Sequence, residues 1–168
     1  TAADVEAELG DRIKLVVDGG PTPVGLESTI VKVDRDRITL LRPGGAPTGA
    51  IEEVAGMKLA AAGGGIEAPG MLASHYAPEA AMRLDVAEVR PGEALLAFGP
   101  SRAAGADHAV AMRHLSPSGD LREAAAALFS SRRALDQVNA SGIAVEPIPD
   151  HGLGEAINDR LRRAAAPR

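Results

Sequence analysis

An α/β fold with a mainly parallel sheet is what this sequence predicts, and two observations carry the prediction. From about residue 81 onward, short aliphatic or β-branched runs at 82–84, 94–98, 110–114 and 142–148 are interspersed with helical patterns. Such mixing of strand and helix over about 85 residues is how βα units feed a parallel sheet. The second observation is that Leu121, Ala125, Leu128 and Leu135, and then Leu153, Ile157 and Leu161, fall at helical spacing. Each set gives one apolar stripe that has to be laid on a sheet.

In chain order, TAADVEAELG predicts a helix, and residues 13–17 (IKLVV) a buried strand. Starting at Thr1 and running at once into these elements points to a segment of a longer protein. A Gly- and Pro-rich loop then leads into STIVKV and RITLLR, which read as a β-hairpin. With Asp34-Arg35-Asp36 as its turn, Val33 would face Arg37, and Ser28 would stand opposite Arg42 with Cβ atoms about 5 Å apart. A slip of one residue would send the two to opposite faces. Residues 48–54 read as a short helix, and AAAGGGIEAPG as a turn-rich exit. Asp120, with Glu123 three residues on, has the spacing of a capping box at the start of the longest helix. These patterns divide the chain into a first unit at 1–67, a linker at 68–80 and a second α/β unit at 81–168.

Composition narrows the function. The 168 residues are 45% apolar, enough for a core, but with one Tyr, two Phe and no Trp that core is aliphatic. A net charge of −5 with dispersed Lys and Arg, together with so few rings for base stacking, argues against direct tRNA or other RNA binding. The absence of cysteine excludes disulfides and thiolate metal sites and fits a cytoplasmic location. No apolar run reaches the roughly 20 residues that a bilayer requires, so no membrane partner is expected.

Several residues could carry chemistry. Ser28 and Thr29 follow Gly25 at the mouth of a strand, where hydroxyls and backbone N–H groups can receive a carboxylate or phosphate; Gly20 and Gly25 would allow close backbone approach. An ordinary strand start is the alternative reading. Arg42, followed by Pro43-Gly44, would project a planar fork of donors suited to a phosphate or carboxylate, or would be a solvated strand-end arginine. The four histidines lack metal-ligand spacing, so no metal site is expected. GLGEAI has Ile157 where a dinucleotide loop needs its third glycine, which favours helix packing. No Ser/His/Asp set has local support.

DGGPTPVGLESTIV, LLRPG, APGMLASHYAP and GLGEAINDRLRRA, in that order, resemble the C-terminal half of the threonylcarbamoyl-AMP synthase family in its long form. The resemblance implies the end of a YrdC-like α/β domain, then a linker and a small Rossmann-like α/β domain. It implies an enzyme that condenses L-threonine, bicarbonate and ATP to threonylcarbamoyl-adenylate and pyrophosphate, with Mg²⁺ assisting. Downstream threonylcarbamoyl-transfer proteins then modify tRNA. By the same resemblance Ser28 contacts threonine, Arg42 contacts the nucleotide, and His75 and Tyr76 belong to a linker that closes over the cleft. The family's linker carries Lys-Tyr-Arg or Lys-Tyr-Lys where this chain has Leu72-Ala73-Ser74, which removes a cation and a ring. The family's Lys/Arg phosphate motif and Ser-Ala-Asn segment are not among these 168 residues, so this chain alone is expected to be inactive. A second reading takes 81–168 as a non-catalytic binding or regulatory module of the tRNA-modification machinery, since it holds no acid, base or nucleophile constellation.

Overall fold

The computed structural model describes residues 1–63, 65, 67–70 and 80–166. Helix α1 (Ala2–Leu9) begins with a capping box in which Thr1 and Asp4 satisfy each other's backbone groups. Residues 13–17 form no strand, contrary to the expectation; Leu15 and Val17 are 78% and 82% exposed. A strand persists only where a neighbour completes its hydrogen-bond ladder, and among the described residues this segment pairs with no strand of either sheet.

The first sheet has the order β1-β2-β3: β1 (Ile30–Val33) is antiparallel to β2 (Ile38–Arg42), and β3 (Ala60–Ala61) is parallel to β2. The hairpin is as expected, but its register is not. The turn takes four residues, 34–37, closed by the Asp34 N–H donating to the Arg37 carbonyl at 2.9 Å. Val33 therefore pairs with Ile38, and a bulge after Ile30 then puts Ile30, not Ser28, opposite Arg42. Helix α2 (Thr48–Ala55) forms where the short helix at 48–54 was expected, and it is followed by β3. Strand β3 falls in the segment expected to be turns alone, because two alanines beside a glycine run carry no period-2 signal.

The second sheet is parallel throughout, in the order β4-β7-β5-β6, from β4 (Met82–Arg83), β5 (Glu93–Phe98), β6 (Met112–Ser116) and β7 (Gly142–Val145). Strand β6 starts two residues later than expected, since its ladder with β5 begins at Met112 opposite Leu95. Strand β7 stops before Pro147, which cannot donate to a ladder. Helices α3 (Leu121–Asp136) and α4 (Leu153–Ala165) pack on one face through Leu128, Leu135, Ile157 and Leu161 against Leu96, Ile143 and Val145. The opposite face, carrying Leu95, Ala97 and Ala144, is covered by Val86, Val89 and Ala106 from loops and a short 3-10 turn. Burial on both faces makes residues 94–98 of β5 and all of β7 unbroken apolar runs. A doubly wound Rossmann sheet carries helices on both sides; among the described residues both helices of this unit lie on one.

The cap of α3 is only half of the predicted box. Asp120 accepts from the Arg122 and Glu123 N–H groups at 2.8 Å. Glu123 does not return to the Asp120 N–H; Ser116 Oγ accepts from that N–H at 2.9 Å and donates to the Glu123 carboxylate, relaying the missing arm.

Candidate ligand-binding site

Ser28 and Arg42 come together, though not as cross-strand partners. Ser28 lies just before β1 and is exposed, while Arg42 ends β2 and is buried, at 8% exposure, where an outward-projecting side chain was expected. The bulge at Ile30 turns the residues ahead of β1 across the end of β2, so the arginine reaches the serine backbone instead of solvent. Its Nη2 donates to the Ser28 carbonyl at 2.9 Å and its Nη1 to the Pro69 carbonyl at 3.2 Å. Its Nε is buried without a hydrogen-bond partner. A buried guanidinium with donors left over is costly unless something else completes it.

The backbone around this pair is tightly laid. Gly44 has no room for a side chain: a Cβ there would stand 2.5 Å from Ser28 C and Thr29 N. The Gly45 N–H donates to the Glu27 carbonyl at 2.8 Å. Thr29 Oγ1 donates to the Ala46 carbonyl at 2.6 Å and accepts the Ala46 N–H at 3.1 Å. The Thr29 hydroxyl is thus occupied in holding 29 to 46, which leaves the exposed Ser28 as the hydroxyl open to a ligand. Gly25 does allow a close approach, but the approach is to α3, since a Cβ would meet Ala126 Cα at 2.6 Å. Gly20 sits in open space, its N–H held by Asp18 Oδ1 at 2.9 Å.

Two ties hold residues 67–69 against this hairpin. One is the Arg42 bond to Pro69; the other is Lys32 Nζ to Glu67 Oε2 at 2.7 Å, a hydrogen bond that raises the lysine above its usual pKa. His75 and Tyr76, and Leu72-Ala73-Ser74 beside them, lie outside the described residues.

The site also draws on the far end of the chain, which sequence reasoning missed. Arg160 of α4, 2% exposed, donates through Nε to Glu27 Oε2 at 3.0 Å and through Nη2 to the Pro43 carbonyl at 3.1 Å. A signal was present: Arg160 lies three residues after Ile157 on the buried stripe of α4, and a buried charge needs a partner. Thr48 Oγ1 of α2 and Glu155 Oε2 of α4, 2.5 Å apart, make a second link from α4 into the first unit. Among the described residues, no group of three His, Cys, Asp or Glu is placed to hold a metal ion, and no helix is long and apolar enough to cross a membrane.

Residues 47–166 match the family described as "Threonylcarbamoyl-AMP synthase, C-terminal domain", and residues 1–44 match one described as "Telomere recombination". The chain is 33% identical over 185 positions to the threonylcarbamoyl-AMP synthase of Bacillus subtilis, covering 99% of this chain and 53% of that protein. It is 30% identical to the enzyme of the same name from Pyrococcus abyssi, over 98% of this chain and 53% of the other. The crystal structure of P. abyssi Sua5 complexed with L-threonine superposes with a TM-score of 0.80 at 28% identity, covering 98% of this chain and 53% of that one. A P. abyssi Sua5 variant in which an adjacent His-Tyr pair is replaced by two alanines superposes with a TM-score of 0.79 at 27% identity over 98% of this chain and 52% of that one. The chain thus spans about half the length of the curated relatives it matches.

Proposed function

From the premise that this chain belongs to the threonylcarbamoyl-AMP synthase family, we propose that it supplies one wall of the site that joins L-threonine, bicarbonate and ATP. In that reaction the threonine amine and bicarbonate form a carbamate with loss of water, and a carbamate oxygen attacks the α-phosphorus of ATP. Pyrophosphate leaves, and threonylcarbamoyl-adenylate remains for downstream transfer proteins that modify tRNA in the cytoplasm. Little covalent chemistry is asked of the protein, so its work is positioning and charge neutralisation.

The observation that carries the reading is the convergence of Arg42 on Ser28, whose carbonyl it holds at 2.9 Å while the serine itself stays exposed. Ser28 offers its hydroxyl to threonine, in keeping with the L-threonine bound to the P. abyssi relative. Arg42 serves the nucleotide with the Nη hydrogens that its two backbone ties leave over. Mg²⁺ would arrive on the ATP phosphates as part of the substrate, since it is commonly carried by substrate phosphates and few carboxylates. His75 and Tyr76 would close over the bound ligands; the P. abyssi relative also has an adjacent His-Tyr pair. In the second reading, 81–168 is a non-catalytic module that docks on the first unit or on later members of the pathway; the Arg160 and Glu155 bonds into the first unit favour its docking there.

Pyrophosphate release from ATP, L-threonine and bicarbonate tests the proposal. This chain alone is expected to release none, and the chain joined to the segment that precedes it in its relatives is expected to turn over. In that longer protein Arg42→Ala should cost roughly 1 to 3 kcal/mol in kcat/KM, as for a lost charge-assisted contact. Unchanged kinetics would reduce Arg42 to a structural arginine.

A further inference from the structure

We propose that Arg160 of α4 is a positioning residue for the Ser28–Arg42 site, so that the C-terminal unit holds the ligand wall in shape instead of merely following it. The ligand part of this inference rests on the function proposed above. One guanidinium grips both flanks of the site. Its Nε and Nη2 reach the carboxylate of Glu27, the residue before Ser28, at 3.0 and 2.9 Å, and Nη2 also reaches the carbonyl of Pro43, the residue after Arg42, at 3.1 Å.

The geometry makes the grip specific. The 27–29 and 43–46 segments are already stitched by Gly45 N–H to the Glu27 carbonyl and by the paired Thr29–Ala46 bonds. Arg160 closes the same pair of segments from below, while Arg42 closes them from the strand end. Asp159, whose Oδ2 lies 2.6 Å from Arg160 Nη1, aims the fork and also binds Arg163 one turn on. With 2% exposure, Arg160 has been taken almost wholly out of water. That cost is recovered only if planar donors meet fixed acceptors, and a lysine, which presents a point charge, could hold Glu27 but not both groups at once.

The test compares the unsubstituted chain with Arg160→Met, Arg160→Lys and Glu27→Gln by residue-resolved amide hydrogen exchange, followed by L-threonine titration of each. In Arg160→Met the Gly45 and Ala46 amides are expected to exchange at least tenfold faster while the Leu95 and Leu96 amides of β5 stay within twofold. Arg160→Lys should fall between, and threonine affinity should drop in the same order, at least fivefold for the methionine variant. Unchanged exchange at Gly45 and Ala46, or acceleration spread evenly over both sheets, overturns the proposal. Should Arg160→Met fail to fold, Glu27→Gln decides on the same two amides, because it leaves every buried atom of α4 in place; faster exchange there supports the grip and none overturns it. Failure of L-threonine to bind even the unsubstituted chain would count against the ligand reading, while the exchange ratios still decide whether Arg160 holds the two segments.

Discussion

Replacing Gly44 by alanine probes the packing that creates the site. The added methyl would stand 2.5 Å from both Ser28 C and Thr29 N, where ordinary contact begins near 3.4 Å. All the atoms it meets are backbone, so no side chain can swing aside, and the 27–29 segment has to retreat by about an ångström. Overpacking of this kind costs about 1–3 kcal/mol. The retreat also stretches the Gly45–Glu27 bond of 2.8 Å and the Arg42–Ser28 bond of 2.9 Å, each contributing on the order of 1 kcal/mol. The expected loss is therefore about 2–4 kcal/mol, and a chain of this size loses roughly 2–4 °C in Tm per kcal/mol. Differential scanning calorimetry should show a fall of at least about 4 °C. Gly49→Ala is the control, since a Cβ there meets nothing within 4 Å and the residue lies in α2; it should stabilise by about 0.5–1 kcal/mol. A Gly44→Ala protein that melts with the parent would show that the 27–29 and 43–46 segments are not packed as described.

Two other outcomes follow from the second unit. Glu146, 4% exposed, accepts the Phe98 N–H at 2.8 Å and the Ala103 N–H at 2.7 Å; Glu146→Ala strands both donors and should cost about 2–4 kcal/mol in urea unfolding, with Glu146→Gln costing less. His114 is held below its ordinary pKa of 6.5, first by burial and then by the Arg102 guanidinium, whose Nη2 lies 2.8 Å from Nε2. Because the unfolded chain takes up that proton first, stability is full above pH 6.5 and falls as pH drops below it toward the folded value. His114→Gln should flatten that part of a stability-against-pH curve, and an unaltered slope would assign it to another group.

Much of the second unit was legible because its elements advertise themselves by period. The Leu128–Leu135 and Ile157–Leu161 stripes and the apolar runs of β5 and β7 each have one environment, and the sequence pattern reports that environment. The first unit was harder. Residues 13–17 look like a strand, but β structure depends on a neighbour that local sequence cannot supply. The hairpin itself was readable, while its register turned on one extra turn residue and one bulge, which composition does not announce. Ser28 and Arg42 were singled out correctly as neighbours for a reason that proved wrong: a guanidinium reaching a backbone carbonyl joins them, not a cross-strand pair. Arg160 was passed over because a cation on an amphipathic helix is usually solvated, and only its place on the apolar stripe marks it as buried.

The central claim, that Ser28 presents a threonine-binding hydroxyl on a wall held by Arg42, is tested most directly by titrating L-threonine into the ¹⁵N-labelled chain and following its amides by NMR. Saturable shifts centred on Ser28 and Thr29, lost or weakened about tenfold in Ser28→Ala, are the predicted result, tenfold being the order of one hydrogen bond. Shifts centred on the second sheet, or binding untouched by Ser28→Ala, would contradict it.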